Sequence, residues 1–223
     1  MEDLDEAIKS LDNDKSRDAL DLANELFKKD VAGDDLKVAT LKLMNLIKKK
    51  LQYPKPLEPC NITSIFKGKG SSKDLDSYRG IFRVTVFRSI LDRLLYNDCY
   101  GLIDSNLTDA NVGARKGRNV RDNIFVLGAV TNSVVNAKCK PIQVQVMDVE
   151  KCFDRMWLQE TRNSLYEAGL TNDKLNLLYL ENKNAQIAIK VNNTLTRRFP
   201  VKDVILQGSV GKYKMHNING HNK

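Results

Sequence analysis

Apolar side chains recur along this chain with two periods. Spacings of three and four residues mark helices, and strict alternation marks strands. Ala19, Leu20, Ala23, Leu26 and Phe27 predict an amphipathic helix over 16–29, capped by Ser16. Leu36, Ala39, Leu43, Met44 and Ile47 predict a second over 35–51, with Asp34 as cap and Lys48–Lys50 at its negative end. The Pro54–Pro59 stretch stops it. A short strand follows at Asn61–Phe66, then a Gly- and Lys-rich loop, then helices over 84–96 and 120–136. Ile142, Val144 and Val146 alternate with polar neighbours and predict a strand opened by Pro141. Helices over 158–168, ending at Gly169, and 173–182 come next. Strands at Ile187–Val191 and Arg197–Val201 flank an Asn192-Asn193 turn. From Gly211 to Lys223 apolar periodicity vanishes, which predicts a disordered tail. This mixture of separate helices and strands predicts an α+β fold.

Composition narrows the picture. At 42% hydrophobic residues the chain can build a core. No apolar run approaches the roughly 20 residues that span a bilayer, so no membrane partner is expected, and a cytoplasmic or nuclear setting is. Cys60, Cys99, Cys139 and Cys152 are scattered and show neither a disulfide framework nor a zinc spacing. Residues 1–35 carry 12 acidic and 5 basic side chains, while the remainder carries 16 and 31, a net of +15. So basic a body attracts polyanions, of which nucleic acid is the commonest in a cell. A merely soluble basic surface is the alternative.

One stretch bears on chemistry directly. In Val146-Met147-Asp148-Val149-Glu150-Lys151-Cys152-Phe153-Asp154 an alternating strand delivers a carboxylate at its end. Divalent metals need hard oxygen ligands on a rigid element. Two-metal nucleotidyl transfer needs such a carboxylate. An Asp just after a strand is more often a turn residue or a helix cap.

The surrounding residues add a resemblance. This stretch is similar to motif A of the reverse transcriptases of non-LTR, LINE-type retrotransposons, with Cys152 where that family usually has Ala. Ile62–Gly70 through Ser77-Tyr78-Arg79-Gly80-Ile81 resembles its fingers segment, with Gly80 in place of Pro. Gly113-Ala114-Arg115-Lys116-Gly117-Arg118-Asn119 resembles its Gly-Phe-Arg-Lys-Gly-Arg-Ser motif, and Leu206-Gln207-Gly208-Ser209-Val210 its motif B. All four stand in family order.

The resemblance implies a right-hand polymerase's fingers and an incomplete palm over 57–210. A helical lead-in over 1–56 would precede them, and a non-family tail over 211–223 would follow. It implies RNA-templated DNA synthesis with an RNA template, a DNA primer, deoxynucleoside triphosphates and two Mg2+ ions. Asp148 and the Val149 carbonyl would hold the metals, and Phe153 would exclude a 2′-hydroxyl. Arg79 would meet the triphosphate, with Lys67 or Lys69 beside it unless that loop is simply solvated. Gln207 and Gly208 would lie against the nucleotide. Arg115, Lys116 and Arg118 would hold template or primer phosphates. For Phe153 and Trp157, core packing is the competing role, and for Asp154 a helix cap.

The family's Tyr-x-Asp-Asp hairpin has no counterpart, since no Asp-Asp follows Asp148. One carboxylate does not hold two metal ions. The expectation is a fragment inactive on its own, from a broken or misread gene copy and clipped at its front. The strand at Ile142–Met147 would then lack its usual partner and present an open edge. The alternatives are a non-catalytic nucleic-acid-binding module and a helical scaffold protein.

Overall fold

The computed structural model describes residues 1–28, 33–113, 115–138, 141–148, 158–182, 185–191 and 194–201. Its elements run α1 (Glu2–Lys9), α2 (Asp34–Lys50), β1 (Pro59–Phe66), β2 (Tyr78–Val84), α3 (Val86–Ser105), α4 (Val120–Lys138), α5 (Leu158–Glu167), α6 (Asn172–Asn182), β3 (Ala185–Val191), β4 (Thr194–Leu195) and β5 (Phe199–Val201). The fold is α+β: a helical body beside one sheet.

Helix α3 is the axis of the body. Its Ile90, Leu91, Leu95, Cys99 and Ile103 are almost wholly buried. Leu4, Ala7 and Ile8 of α1, Met44 and Ile47 of α2, Leu165 of α5 and Leu175 of α6 complete the same core. Residues 1–56 and the later helices therefore share one apolar interior. Thr85 caps α3, its hydroxyl accepting from Arg88 N at 3.2 Å. The helix runs to Ser105, nine residues beyond the span that periodicity suggested, because the body surrounds it on several sides.

The helix predicted over 16–29 is not formed over its described residues 16–28; apart from a 3-10 turn at Asn24–Phe27, these are irregular. Asp18 shows why. Its carboxylate accepts from Leu20 N at 2.7 Å and Leu22 N at 2.9 Å, and its other oxygen accepts from Val86 N at 2.7 Å. Side-chain bonds to nearby backbone compete with helical ones. Here the competitor also satisfies an orphan N–H at the start of α3. Phe27 still reaches the core, edge-on to Phe87 with ring centroids 5.0 Å apart. Helix α1, which sequence reading passed over, takes the missing helix's place. Lys37 ties it to α2 through Asp5 at 2.9 Å, and Arg93 ties its end to α3 by donating to the Ser10 hydroxyl at 2.6 Å.

In the sheet, β1 and β2 form an antiparallel hairpin, and β3 joins β1 in parallel on its other side. β4 and β5 pair antiparallel with β3. The predicted strands near 61–66, 187–191 and 197–201 are present in shifted or shorter form, and β2 is additional. The expected strand Ile142–Met147 is absent: residues 141–148 have no regular structure, and Val144, Val146 and Met147 are exposed. A strand needs a partner for its ladder, and no described strand pairs with this one.

α4 forms where its periodicity placed it, with Asn119 as cap accepting from Arg121 N at 3.0 Å. Its Ile124, Phe125 and Val130 nevertheless stand exposed. α5 ends as predicted in a left-handed Gly169 at φ 96°, with Leu170 N donating back to Leu165 O at 3.0 Å. The expected disordered tail lies outside the described residues.

Candidate nucleic-acid interface

The β1–β2 hairpin is closed by the loop 67–77. Lys67 N donates to Ser77 O at 2.9 Å, and the Tyr78 hydroxyl donates to Ser72 O at 2.9 Å. Gly68 and Gly70 take left-handed φ of 76° and 83°. A Cβ at Gly70 would run into the Ser77 hydroxyl, so glycine is required there. Gly80, where the family pattern has Pro, leaves its Cβ space 3.3 Å from Ile62 Cγ2. The Lys67 ammonium turns back and donates to Asp76 O at 2.7 Å. Lys69 and Lys73 stay exposed, with no ion pair among the described residues. Of the two lysines expected at this loop, Lys69 is the one left available, and Lys73 joins it.

Register sorts the sheet into two faces, because paired residues on adjacent strands project the same way. Cys60 pairs with Val84 and Ile187, and Ile62 with Phe82 and Ile189. That face is apolar and closes a small core of Cys60, Ala185 and Ile187. On the opposite face Arg79 stands across from Ile65, Arg83 across from Asn61, and Lys190 beside Thr63. Arg79 is exposed, while Arg83 and Lys190 are half-buried; none makes an ion pair or side-chain hydrogen bond among the described residues. Arg79 and Arg83 stand about 13 Å apart along one strand, and Lys190 lies roughly 10 Å away across two strand spacings. Between them, the Asn61 Oδ1 and Thr63 Oγ1 atoms are buried and find no hydrogen-bond partner among the described residues. Leaving a buried polar atom unpaired costs about 1–3 kcal/mol.

The second basic loop is arranged differently. Arg115 spreads five hydrogen bonds over its own chain. Nε and Nη2 reach the two Asp104 carboxylate oxygens at 3.0 and 3.1 Å. Nη1 reaches Thr108 O at 2.8 Å and Asn111 O at 3.1 Å, and Nη2 also reaches Asp104 O at 3.4 Å. A guanidinium has five N–H donors, so this one is saturated. Its side chain is 7% exposed, and the bond to Asp104 holds its pKa above the ordinary value. Arg118 pairs with Asp109 at 2.8 Å. The Lys116 ammonium sits 5.3 Å from the Tyr100 ring centre. It lines an open cleft of about 290 Å³ with Asp3, Glu6 and Asp98. The three side chains expected to grip template phosphates thus face the protein's own acids and aromatics, and Arg115 has no donor left.

Asp148 is exposed at the end of an irregular segment. Val149, Phe153, Asp154, Trp157, Gln207 and Gly208 lie outside the described residues. Among the described residues no three carboxylate, His or Cys side chains gather to fit a metal ion. Cys60 and Cys99 are buried thiols outside any disulfide among the described residues, and burial pushes the Cys99 thiol up from its usual pKa. No described helix is long and apolar enough to cross a membrane.

Sequence reading missed Lys73, Arg83 and Lys190. Arg79 and Arg83, four residues apart, share a face once 78–84 is a strand, so alternation could have found Arg83. Lys190 comes to the same face only through the parallel pairing of β3 with β1. No protein-family model matches the chain, and no curated protein matches it.

Proposed function

We propose that this chain is the fingers and part of the palm of a LINE-type reverse transcriptase, and that it binds nucleic acid without extending a primer by itself. Four motif-like segments in family order support the reading. The observation that carries it is a set of cations on one hairpin and its sheet, Lys69, Lys73, Arg79, Arg83 and Lys190, that make no ion pair among the described residues. Charges left without acidic partners on a body of net +15 suit a phosphate backbone.

In this reading Asp148 and the Val149 carbonyl would hold magnesium, which when bound activates a 3′-hydroxyl and stabilises departing pyrophosphate. Phe153 would crowd a 2′-hydroxyl on the incoming nucleotide, and Gln207 and Gly208 would lie against it. With no Tyr-x-Asp-Asp element in the 223 residues, the carboxylates for a metal pair are too few. The same cations suit a non-catalytic nucleic-acid-binding module, and primer extension by a version that carries the missing hairpin separates the two readings.

The test is fluorescence anisotropy with a labelled RNA-template/DNA-primer duplex, titrated with salt, alongside an extension assay with Mg2+ and deoxynucleoside triphosphates. Binding should weaken steeply with salt, and no product should form. A version carrying a downstream Tyr-x-Asp-Asp hairpin should extend the primer if the polymerase origin is right. Absent or salt-insensitive binding removes the nucleic-acid reading, and extension by the chain alone removes the inactivity.

A further inference from the structure

We infer that Ser72, in the loop that closes the β1–β2 hairpin, is a phosphorylation site, and that a phosphate there switches off the hairpin's hold on nucleic acid. The site stands on the loop's own structure, whereas the switch rests on the nucleic-acid reading above.

Access singles out one hydroxyl. Residues 67–76 are all exposed, so a kinase cleft can take several of them at once. Of the three serines in the loop, Ser77 is buried, and Ser71 Oγ already accepts from Lys73 N at 3.2 Å. Ser72 is exposed, and its hydroxyl makes no hydrogen bond among the described residues. The backbone beside it is pinned: Asp74 N donates to Ser71 O at 3.1 Å, and the Tyr78 hydroxyl donates to Ser72 O at 2.9 Å.

Charge supplies the recognition and the consequence. Lys67 and Lys69 stand five and three positions before Ser72, and Lys73 follows it, which suits a kinase with an acidic cleft beside its active site. The transfer joins Ser72 Oγ to the γ-phosphorus of ATP as the β–γ bridge breaks. ADP leaves with the bridging oxygen, and the hydroxyl proton passes to the kinase's base. Three lysines against Asp74 and Asp76 give residues 67–77 a charge of +1. Phosphoserine adds about −1.5 to −2 near neutral pH, so the sign of the loop reverses. Lys69 and Lys73 make no ion pair among the described residues. The new dianion takes these two ammonium groups in place of a nucleic-acid phosphate.

The experiment treats the full 223-residue chain with cyclic-AMP-dependent protein kinase, ATP and Mg2+. Tandem mass spectrometry maps the product, which is then titrated with salt on the labelled RNA-template/DNA-primer duplex. Phosphate should appear on Ser72. The slope of log affinity against log salt should flatten by about 1.4, at roughly 0.7 for each lysine withdrawn. Kinase-treated Ser72→Ala should keep the slope of the unmodified chain. Phosphorylation should leave the melting temperature in place, because the loop is exposed. No phosphate on Ser72, in a chain that circular dichroism shows to be folded, overturns the site. Phosphate on Ser72 with an unchanged slope overturns the switch while the nucleic-acid function stands. A flatter slope that comes with a lower melting temperature, or that recurs in kinase-treated Ser72→Ala, also overturns the switch. If the unmodified chain does not bind the duplex, the nucleic-acid reading fails and the switch with it, and mass spectrometry alone decides the site.

Discussion

The two basic loops differ in how many of their cations the fold already pairs, and the proposed binding of nucleic acid makes that difference testable. In the loop 67–77 and the start of β2, Lys69, Lys73 and Arg79 are exposed and make no ion pair among the described residues. In the loop before α4, Arg115 is saturated by Asp104, Thr108 and Asn111, and Arg118 is paired with Asp109. The perturbation is to neutralise each set separately, with Lys69→Gln/Lys73→Gln/Arg79→Gln in one variant and Arg115→Gln in the other. If the three hairpin cations each contact one phosphate of a single strand, the salt slope should flatten by about 2, at roughly 0.7 per contact. Across a fourfold rise in salt, that difference amounts to about a 15- to 20-fold smaller loss of affinity. The melting temperature should barely move, because exposed side chains contribute little to folding. Arg115→Gln should do the reverse. It removes the donors that Arg115 supplies to the Asp104 carboxylate and to the Thr108 and Asn111 carbonyls, lowering the melting temperature, while the slope stays as in wild type. The assays are anisotropy from 50 to 200 mM salt and a thermal melt of each variant. A flattened slope in Arg115→Gln without loss of stability would refute the assignment, as would an unchanged slope in the hairpin triple.

Three further outcomes follow from the same coordinates. Asp18→Ala removes acceptors for Leu20, Leu22 and the buried Val86 N–H, so chemical denaturation should show a loss of about 2–3 kcal/mol. Asp18→Asn should recover only part of this, because both carboxylate oxygens are in use; full recovery would show that the Val86 bond is unimportant. A bond from Lys37 holds Asp5 below its ordinary 3.8. Backbone N–H donors, from Glu25 itself and then Asp14, hold Glu25 below its ordinary 4.5. Both contributions are complete above those values and disappear as pH falls through the lowered folded ones. Melting temperature should therefore drop below about pH 4.5, and Asp5→Asn/Glu25→Gln should flatten that acid limb; an equally steep limb in the double variant contradicts the assignment. Ile124→Lys with Phe125→Glu replaces α4 side chains that are 63% and 77% exposed. Melting should stay within about 0.5 kcal/mol, and elution by size-exclusion chromatography should sharpen as an apolar patch is broken. A loss well above that figure would mean this face is covered in solution.

Residues determine locally what depends on neighbours in the chain. The stripe Thr40, Met44, Ile47 makes α2 wherever it packs, and Gly169 ends α5 because the left-handed turn needs no side chain. The same holds for the Lys- and Gly-rich loop, for the β1 and β3 alternation, and for the excess of positive charge. Two errors of sequence reading have one cause. The 16–29 pattern is helical by spacing, but Asp18 gains more by binding Val86 N, 68 positions away, than its segment gains from helical bonds. The 142–147 alternation is a strand by pattern, but a ladder needs a second chain segment and none of the described strands supplies it. Which cations are paired is likewise invisible along the chain: Arg115 and Arg79 sit in equally basic motifs, and only folding brings Asp104 to one, while the other meets no acid among the described residues. Propensity and patterning act over a few residues, whereas pairing of strands and charges depends on contacts between distant ones, which only the tertiary fold selects.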